Sequence, residues 1–429
     1  MTVAAAAAWK SKSSLHCLFL RGLAGLLFVA LTAPMAASPA RAADEVERQQ
    51  APSPPDDHWS LKFFPIPMYT TVPNEGSTFG AMPVFLGVDS AGTVKGIAAP
   101  SVSWNRAAGV NGTVRLYYYP NPVRALSLIA AASTNVNRTL WTTYTDLPIE
   151  CGRATLEIEG MVRRNIFFRY YGLGPESDQA NQSSFTKATA LSTVRWGWNL
   201  PAHFNLGARG TLRSDQPLRH PIFSLPATQD LFPTAPGLSG ASAIGAELSL
   251  RFDTRPVAEY SANGIASELR AGYAAGLSGF DHVWRVLFQL RGVLGEKSWL
   301  QSAGRVYWTT EEGGPRPVPF YYQSTLGGEN LLRGFPEGRF YDRAAWLAEF
   351  EQRFRLLETH LFGVATDWRI DPFVGVGQVY DKTADAVAHP QVSVGVGVRA
   401  WVKPNVLGRV DIAYAGEGLN AYVVLGYPY

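Results

Sequence analysis

The stretch Gly327-Gly328-Glu329-Asn330-Leu331-Leu332-Arg333-Gly334-Phe335-Pro336-Glu337-Gly338-Arg339-Phe340 holds the residues best arranged for chemistry. Its glycines let one backbone lie close to another, and the guanidinium between them is suited to pairing with carboxylates. That is binding chemistry, not bond-breaking chemistry. A hydrolase would need a serine, a histidine and an orienting polar group, and the seven histidines are scattered with none forming a recognisable motif with a serine. Asp381 to Asp385 reads as a solvated acidic turn. The two cysteines, Cys17 and Cys151, join no Cys/His cluster with metal-ligand spacing. No Gly-rich phosphate cradle follows a strand and opens a helix. Neither an enzyme activity, nor a metal, nor a cofactor is expected.

The elements that must position this stretch begin after an export signal. Lys10, Lys12 and Arg21 precede an apolar run from Leu23 to Leu31, and Ala40-Arg41-Ala42 fits a small-x-small cleavage site. Residues 1–42 are therefore expected to be a signal peptide removed near Ala43. Cys17 precedes the apolar run, which argues against a lipoprotein. The encoded chain has 38 Lys+Arg against 35 Asp+Glu, and the four basic groups of residues 1–42 leave with the signal. The remainder is close to neutral, so no nucleic-acid partner is expected. Residues 43–70 read as a Pro-rich periplasmic linker, with Pro52, Pro54 and Pro55.

No later segment offers the roughly twenty apolar residues of a membrane helix. Instead the period is two. Val392, Val394, Val396 and Val398 alternate with Ser393, Gly395, Gly397 and Arg399; His282 to Leu290, Arg153 to Arg163 and Ala348 to Leu356 behave alike. A periplasmic sandwich would also alternate. Two features favour a membrane barrel. The strands outlast the globular average of about five to six residues. Aromatics also gather at their ends (Tyr117-Tyr118-Tyr119, Phe167-Phe168, Trp196, Trp198, Trp299, Trp308), as in interfacial girdles.

The expected fold is thus all-β: a transmembrane antiparallel β-barrel over residues 71–429, in the cell outer membrane. Sixteen strands are predicted, from 78–89 to 419–429, with 138–146 set aside because barrel strands come in even numbers. Turns at 199–201, 295–297 and 403–405 are tight, while 166–184, 215–238 and 311–341 are long loops. The Gly-rich stretch falls in the long loop between strands 11 and 12, expected to fold into the lumen.

Those residues resemble the BamA/TamA superfamily of outer-membrane assembly and translocation barrels, the bacterial surface antigen domain. Leu332-Arg333-Gly334-Phe335 resembles its loop-tip motif, and Asp253-Thr254-Arg255 with Asn263-Gly264 resembles its Asp-x-Arg turn and downstream glycine. Tyr170-Tyr171-Gly172-Leu173-Gly174 is similar to a family loop motif. The end, from Val392 through Asp411 to Tyr427 and Tyr429, looks like the last three strands and their aromatic assembly signal. The resemblance implies insertion or transport of a client polypeptide or lipid at the outer membrane. It also implies outer-membrane lipid as surroundings and the barrel assembly machinery for the chain's own insertion. A passive porin-like channel and a structural surface barrel are the alternatives.

Two departures from the family accompany this resemblance. About thirty residues between signal and first strand are too few for a POTRA module, so a form lacking these modules is expected. The family also pairs its loop arginine with an aspartate where this chain has Gly375. A buried Arg333 then needs another anion. Glu351 is the first candidate, followed by Glu349, Asp371 and Asp367. Pro83 and Pro428, on the first and last predicted strands, suggest a weakly zipped seam where the barrel closes.

Overall fold

The computed structural model describes residues 59–90, 94–121, 124–148, 153–255, 263–297, 299–361, 364–402 and 406–425. Alternation decides which way each strand faces. Val392, Val394, Val396 and Val398 are 52, 47, 38 and 41% exposed, whereas Ser393 and Arg399 between them are 1 and 0%. A soluble sheet would do the reverse. Apolar residues outward and charges inward are what a strand needs in lipid, where only a closed ring satisfies every backbone group.

The ring has eighteen antiparallel strands: β1 (Ser60–Val72), β2 (Gly76–Val88), β3 (Val94–Ala98 and Ser101–Asn105), β4 (Gly109–Asn121), β5 (Arg124–Ser133) and β6 (Arg138–Pro148). Then come β7 (Ala154–Tyr170), β8 (Ser183–Asn199), β9 (Phe204–Leu218), β10 (Ala241–Asp253), β11 (Gly264–Ser278) and β12 (His282–Lys297). Last are β13 (Leu300–Gly313), β14 (Ala344–Leu361), β15 (Val364–Tyr380), β16 (Gln391–Val402), β17 (Val406–Ala415) and β18 (Gly418–Leu425). Each pairs with its successor, and β1 meets β18 at Thr71–Val423 to close the ring.

Two strands exceed the sixteen predicted. Residues 60–72, whose greater part was read as linker, form β1; Pro65 and Pro67 hid it, because proline argues against a strand interior. Residues 138–148 form β6. With both strands added the count is still even, so evenness does not distinguish sixteen from eighteen. The long loop therefore joins β13 to β14, not strands 11 and 12, but five strands still follow it. Pro83 lies on the second strand, away from the seam, and Pro428 lies outside the described residues.

The connections of residues 171–182, 219–240, 314–343 and 381–390 all leave one end of the barrel. The bases of the first three are bound together by an aromatic cluster of Tyr170, Phe185, Phe280, Phe320, Tyr321, Tyr322 and Tyr341. Within residues 314–343, Ser324–Leu326 pairs with Phe340–Asp342, forming a narrow stem that carries the Gly-rich tip into the lumen.

Candidate functional site: the loop tip and the seam

The tip is held by apolar packing on one side and charge on the other. Leu326, Leu332, Phe335 and Phe340 pack with Ala345 and Leu347 of β14, Val379 of β15 and Ala415 of β17. Gly334 has φ +111°, and an added Cβ would stand 3.2 Å from both Ala415 Cβ and Ser393 Cβ. Only glycine lets the tip press this closely on the wall.

Arg333 is wholly enclosed. Its Nη2 donates to Glu351 Oε2 at 3.0 Å and its Nη1 to Asp411 Oδ2 at 3.2 Å. Its Nε is 4.0 Å from Glu349 Oε1. The guanidinium lies over the ring of Phe373, 3.5 Å from the centroid, where a cation is attracted to the π face.

These contacts belong to a larger buried network. Glu351 also receives Arg353 at 2.8 Å and lies 3.5 Å from Arg399. Asp411 is shared with Arg399 at 2.6 Å and Arg409 at 3.5 Å. Asp371 takes Arg399 at 3.1 Å, and Glu349 takes Arg305. Cations and carboxylates alternate in near balance, the condition under which charges tolerate burial. Glu351 and Glu349 are thus brought to Arg333. Asp371 reaches the network through Arg399, while Asp367 pairs with Arg355 and, at 3.8 Å, Arg369.

Asp411 was not among the expected partners. Its inward parity on β17 was legible, but only the fold shows that the tip crosses the lumen far enough to reach it. Gly375 stands directly opposite Glu349 in the β14–β15 ladder, and the tip's Leu332 Cδ1 would lie 3.4 Å from a Cβ placed there. Space that an aspartate would fill is bordered by loop and Glu349 instead.

Asp253 and Arg255 lie at the foot of β10, at the opposite end of the barrel. Arg255 Nη2 is 2.6 Å from Asp253 Oδ2, and the Arg255 amide donates to Asp253 Oδ1 at 3.0 Å. Gly264, at φ +145°, lets Thr254 and Arg255 lie against it; a Cβ would fall 2.9 Å from Thr254 Oγ1. Tyr427 and Tyr429 lie outside the described residues.

The seam is the second feature. β1 pairs with β2 along all 13 of its residues and β18 with β17 along all 8, yet among the described residues β1 and β18 share a single pair, Thr71–Val423. The prolines explain part of this. Pro83 has no amide to offer β3, and opposite it β3 breaks at Ala99–Pro100. Pro83 faces Pro65 across the β1–β2 ladder. Neither proline has an amide, so the pair is non-hydrogen-bonded, and the backbone of Pro83 points at β3 and that of Pro65 at β18. Pro67 and Thr71 share that parity. Among the described residues the seam edge of β1 thus has one bridge and, behind it, two positions without a donor.

An apolar-coated ring with a charged lumen and an inserted loop defines an outer-membrane β-barrel. The Omp85 superfamily domain matches residues 131–420, over half of the sequence, and the chain belongs to the Omp85 superfamily. Among solved structures, BamA from Haemophilus ducreyi lacking POTRA domains 1–3 aligns at 14% identity and TM-score 0.52, over 84% of this chain and 74% of that one. That is a likeness of fold. CdiB from Acinetobacter baumannii aligns at 11% identity over 86% of this chain and 65% of its own, with TM-score 0.49, and adds nothing to the assignment. No curated protein matches.

Proposed function

We propose that this barrel aids insertion or transport of a polypeptide or lipid at the outer membrane by parting between β1 and β18. Among the described residues, which end at Leu425, Thr71–Val423 is the one ladder pair between β1 and β18, and it carries this reading; the pairs on either side of the seam are zipped over 13 and 8 residues. A strand edge relieved of its partner offers unpaired backbone groups to an incoming chain. The resemblance to assembly and translocation barrels supports the same reading. In it, residues 1–42 are a cleaved signal peptide, the segment up to β1 is a linker, Tyr427 and Tyr429 belong to the chain's own assembly signal, and the protein performs no enzymatic step.

A disulfide lock tests it. Thr71→Cys with Val423→Cys, in a background carrying Cys17→Ser and Cys151→Ser, places two thiols on directly paired residues, within the span a disulfide bridges. In cells depleted of the native protein, the reduced variant is expected to restore outer-membrane protein levels and the oxidised one not. A locked barrel that supports normal levels rejects the proposal.

A second reading, a passive channel, draws on the wall away from the loop. There Arg251, Glu157, Glu268, Arg270, Glu247 and Arg209 form a chain of partly exposed ion pairs. Such a surface also lines pores. Planar-bilayer recordings separate the readings: a large steady conductance, equal in wild type and Arg333→Ala, supports the channel.

A further inference from the structure

We infer that residues Gly334–Glu337 of the loop tip clasp both strands of the seam, with Tyr422, Asn420 and Asn74 as the positioning residues. This rests on the reading of β1–β18 as a parting seam and adds what holds it shut.

On the β18 side, the Tyr422 hydroxyl donates to the Phe335 carbonyl at 2.8 Å and accepts from the Gly334 amide at 3.0 Å. Asn420 Nδ2 donates to the Gly334 carbonyl at 2.7 Å. On the β1 side, Asn74 in the β1–β2 turn donates through Nδ2 to the Glu337 carbonyl at 2.7 Å. Three residues of this four-residue stretch, Gly334, Phe335 and Glu337, are therefore hydrogen-bonded to β18 on one side and to the β1–β2 turn on the other. Tyr422 is fully buried and Asn74 nearly so, so water does not compete for these bonds. The ring of Tyr422 packs with Phe373 and Ala413, and Val72, the last residue of β1, packs on that cluster. Phe373 is the same ring that carries Arg333.

The consequence is mechanical. Among the described residues the seam has one ladder pair, and Pro65 and Pro67 of β1 have no amide to add to it. The clasp adds four hydrogen bonds to that pair and refers both sides of the seam to the Arg333 network on β14 and β17. Withdrawal of the tip would free β1 and β18 together.

The test reads the seam, not the client. Spin labels at Tyr69→Cys on β1 and Leu419→Cys on β18, in the background lacking Cys17 and Cys151, report the distance across it by pulsed electron resonance in lipid vesicles. Wild type is expected to give one short, narrow distribution. Tyr422→Phe with Asn74→Ala is expected to add a second population longer by about one strand spacing, ~5 Å. Folding is checked by the heat-dependent gel mobility of the barrel; if that pair does not fold, Asn420→Ala with Asn74→Ala removes a bond from each side without touching the buried ring. An unchanged distribution in a folded double variant overturns the clasp. A seam that opens in the variant, in a protein whose disulfide lock leaves outer-membrane protein levels normal, rejects the proposed function and keeps the clasp. A seam unmoved by the substitutions, in a protein that the lock inactivates, does the opposite.

Discussion

Arg333 and Glu351 meet at 3.0 Å with both side chains fully enclosed, the loop tip against the wall of β14. Glu351 also serves Arg353 and Arg399, whereas among the described residues Asp371 has an ion-pair distance to Arg399 alone. Removing a carboxylate from a buried network strands the cations it served, at roughly 3–5 kcal/mol. Glu351→Gln is expected to lower the unfolding midpoint of the purified barrel in denaturant more than Asp371→Asn does. Equal losses would mean that sharing among three arginines carries no weight.

Arg333→Lys is expected to behave like a loss, although the charge is kept. The guanidinium reaches Glu351 with one nitrogen and Asp411 with another while its plane covers Phe373. A point ammonium offers neither the fork nor the face. The check is protease cleavage of residues 314–343 in the folded barrel, expected to be faster in Arg333→Lys than in wild type. Unchanged cleavage would count against a tip held by this geometry.

Gly375→Asp would write the family's residue into this chain, and it is expected to destabilise the barrel. A Cβ at this position meets Ser393 Oγ at 3.1 Å and Glu349 Cγ at 3.3 Å, and the new carboxylate would face Glu349 across the ladder. Crowding and like charge act together, so a loss of about 1–3 kcal/mol is expected. The unfolding midpoint should fall, and Glu349→Gln in the same chain should recover part of the fall. A rise in the single variant would show that the site still accommodates the family pairing.

The sequence shows the barrel plainly wherever alternation is strict, as from Val392 to Val398, since period two fixes both the strand and its two faces. It hides β1, because Pro65 and Pro67 carry the signature of a loop; their tolerance depends on being at the seam, which is a property of the closed ring. The tip motif around Arg333 is local and therefore legible. Its partners are not. Glu349 and Asp411 are 62 positions apart, and only the β14–β18 order sets them on either side of one guanidinium. The grip of Asn74 on Glu337 spans still more of the chain and leaves no periodic trace.

Pro65→Val with Pro67→Val returns two amide donors to the seam edge of β1. Each new ladder bond contributes about 0.5–1.5 kcal/mol, but losing each proline frees the unfolded chain by roughly 0.4–1 kcal/mol. The two effects nearly offset in global stability. Amide hydrogen exchange is the sharper readout: protection along residues 66–72 is expected to rise while the unfolding midpoint stays close to wild type. No change in protection would show that these positions do not face β18.

Glu75 gives the seam's turn a pH dependence. It sits beside Asn74 in the β1–β2 turn, outside the spanning strands, and its carboxyl is pushed from the ordinary 4.5 up to about 7. Burial is the main cause; Glu337 and then Glu329 add to it, while Arg163 and Arg169 oppose it. Because the folded state holds a proton that the unfolded chain has released, stability is greatest below about 4.5, falls as pH rises to about 7 and then levels off. Glu75→Gln removes this proton and its linkage. Denaturant midpoints at pH 5 and pH 8 are expected to drop more in wild type than in Glu75→Gln, with the variant the more stable at pH 8. An equal drop in both would show that the carboxyl titrates in the folded barrel as it does in water.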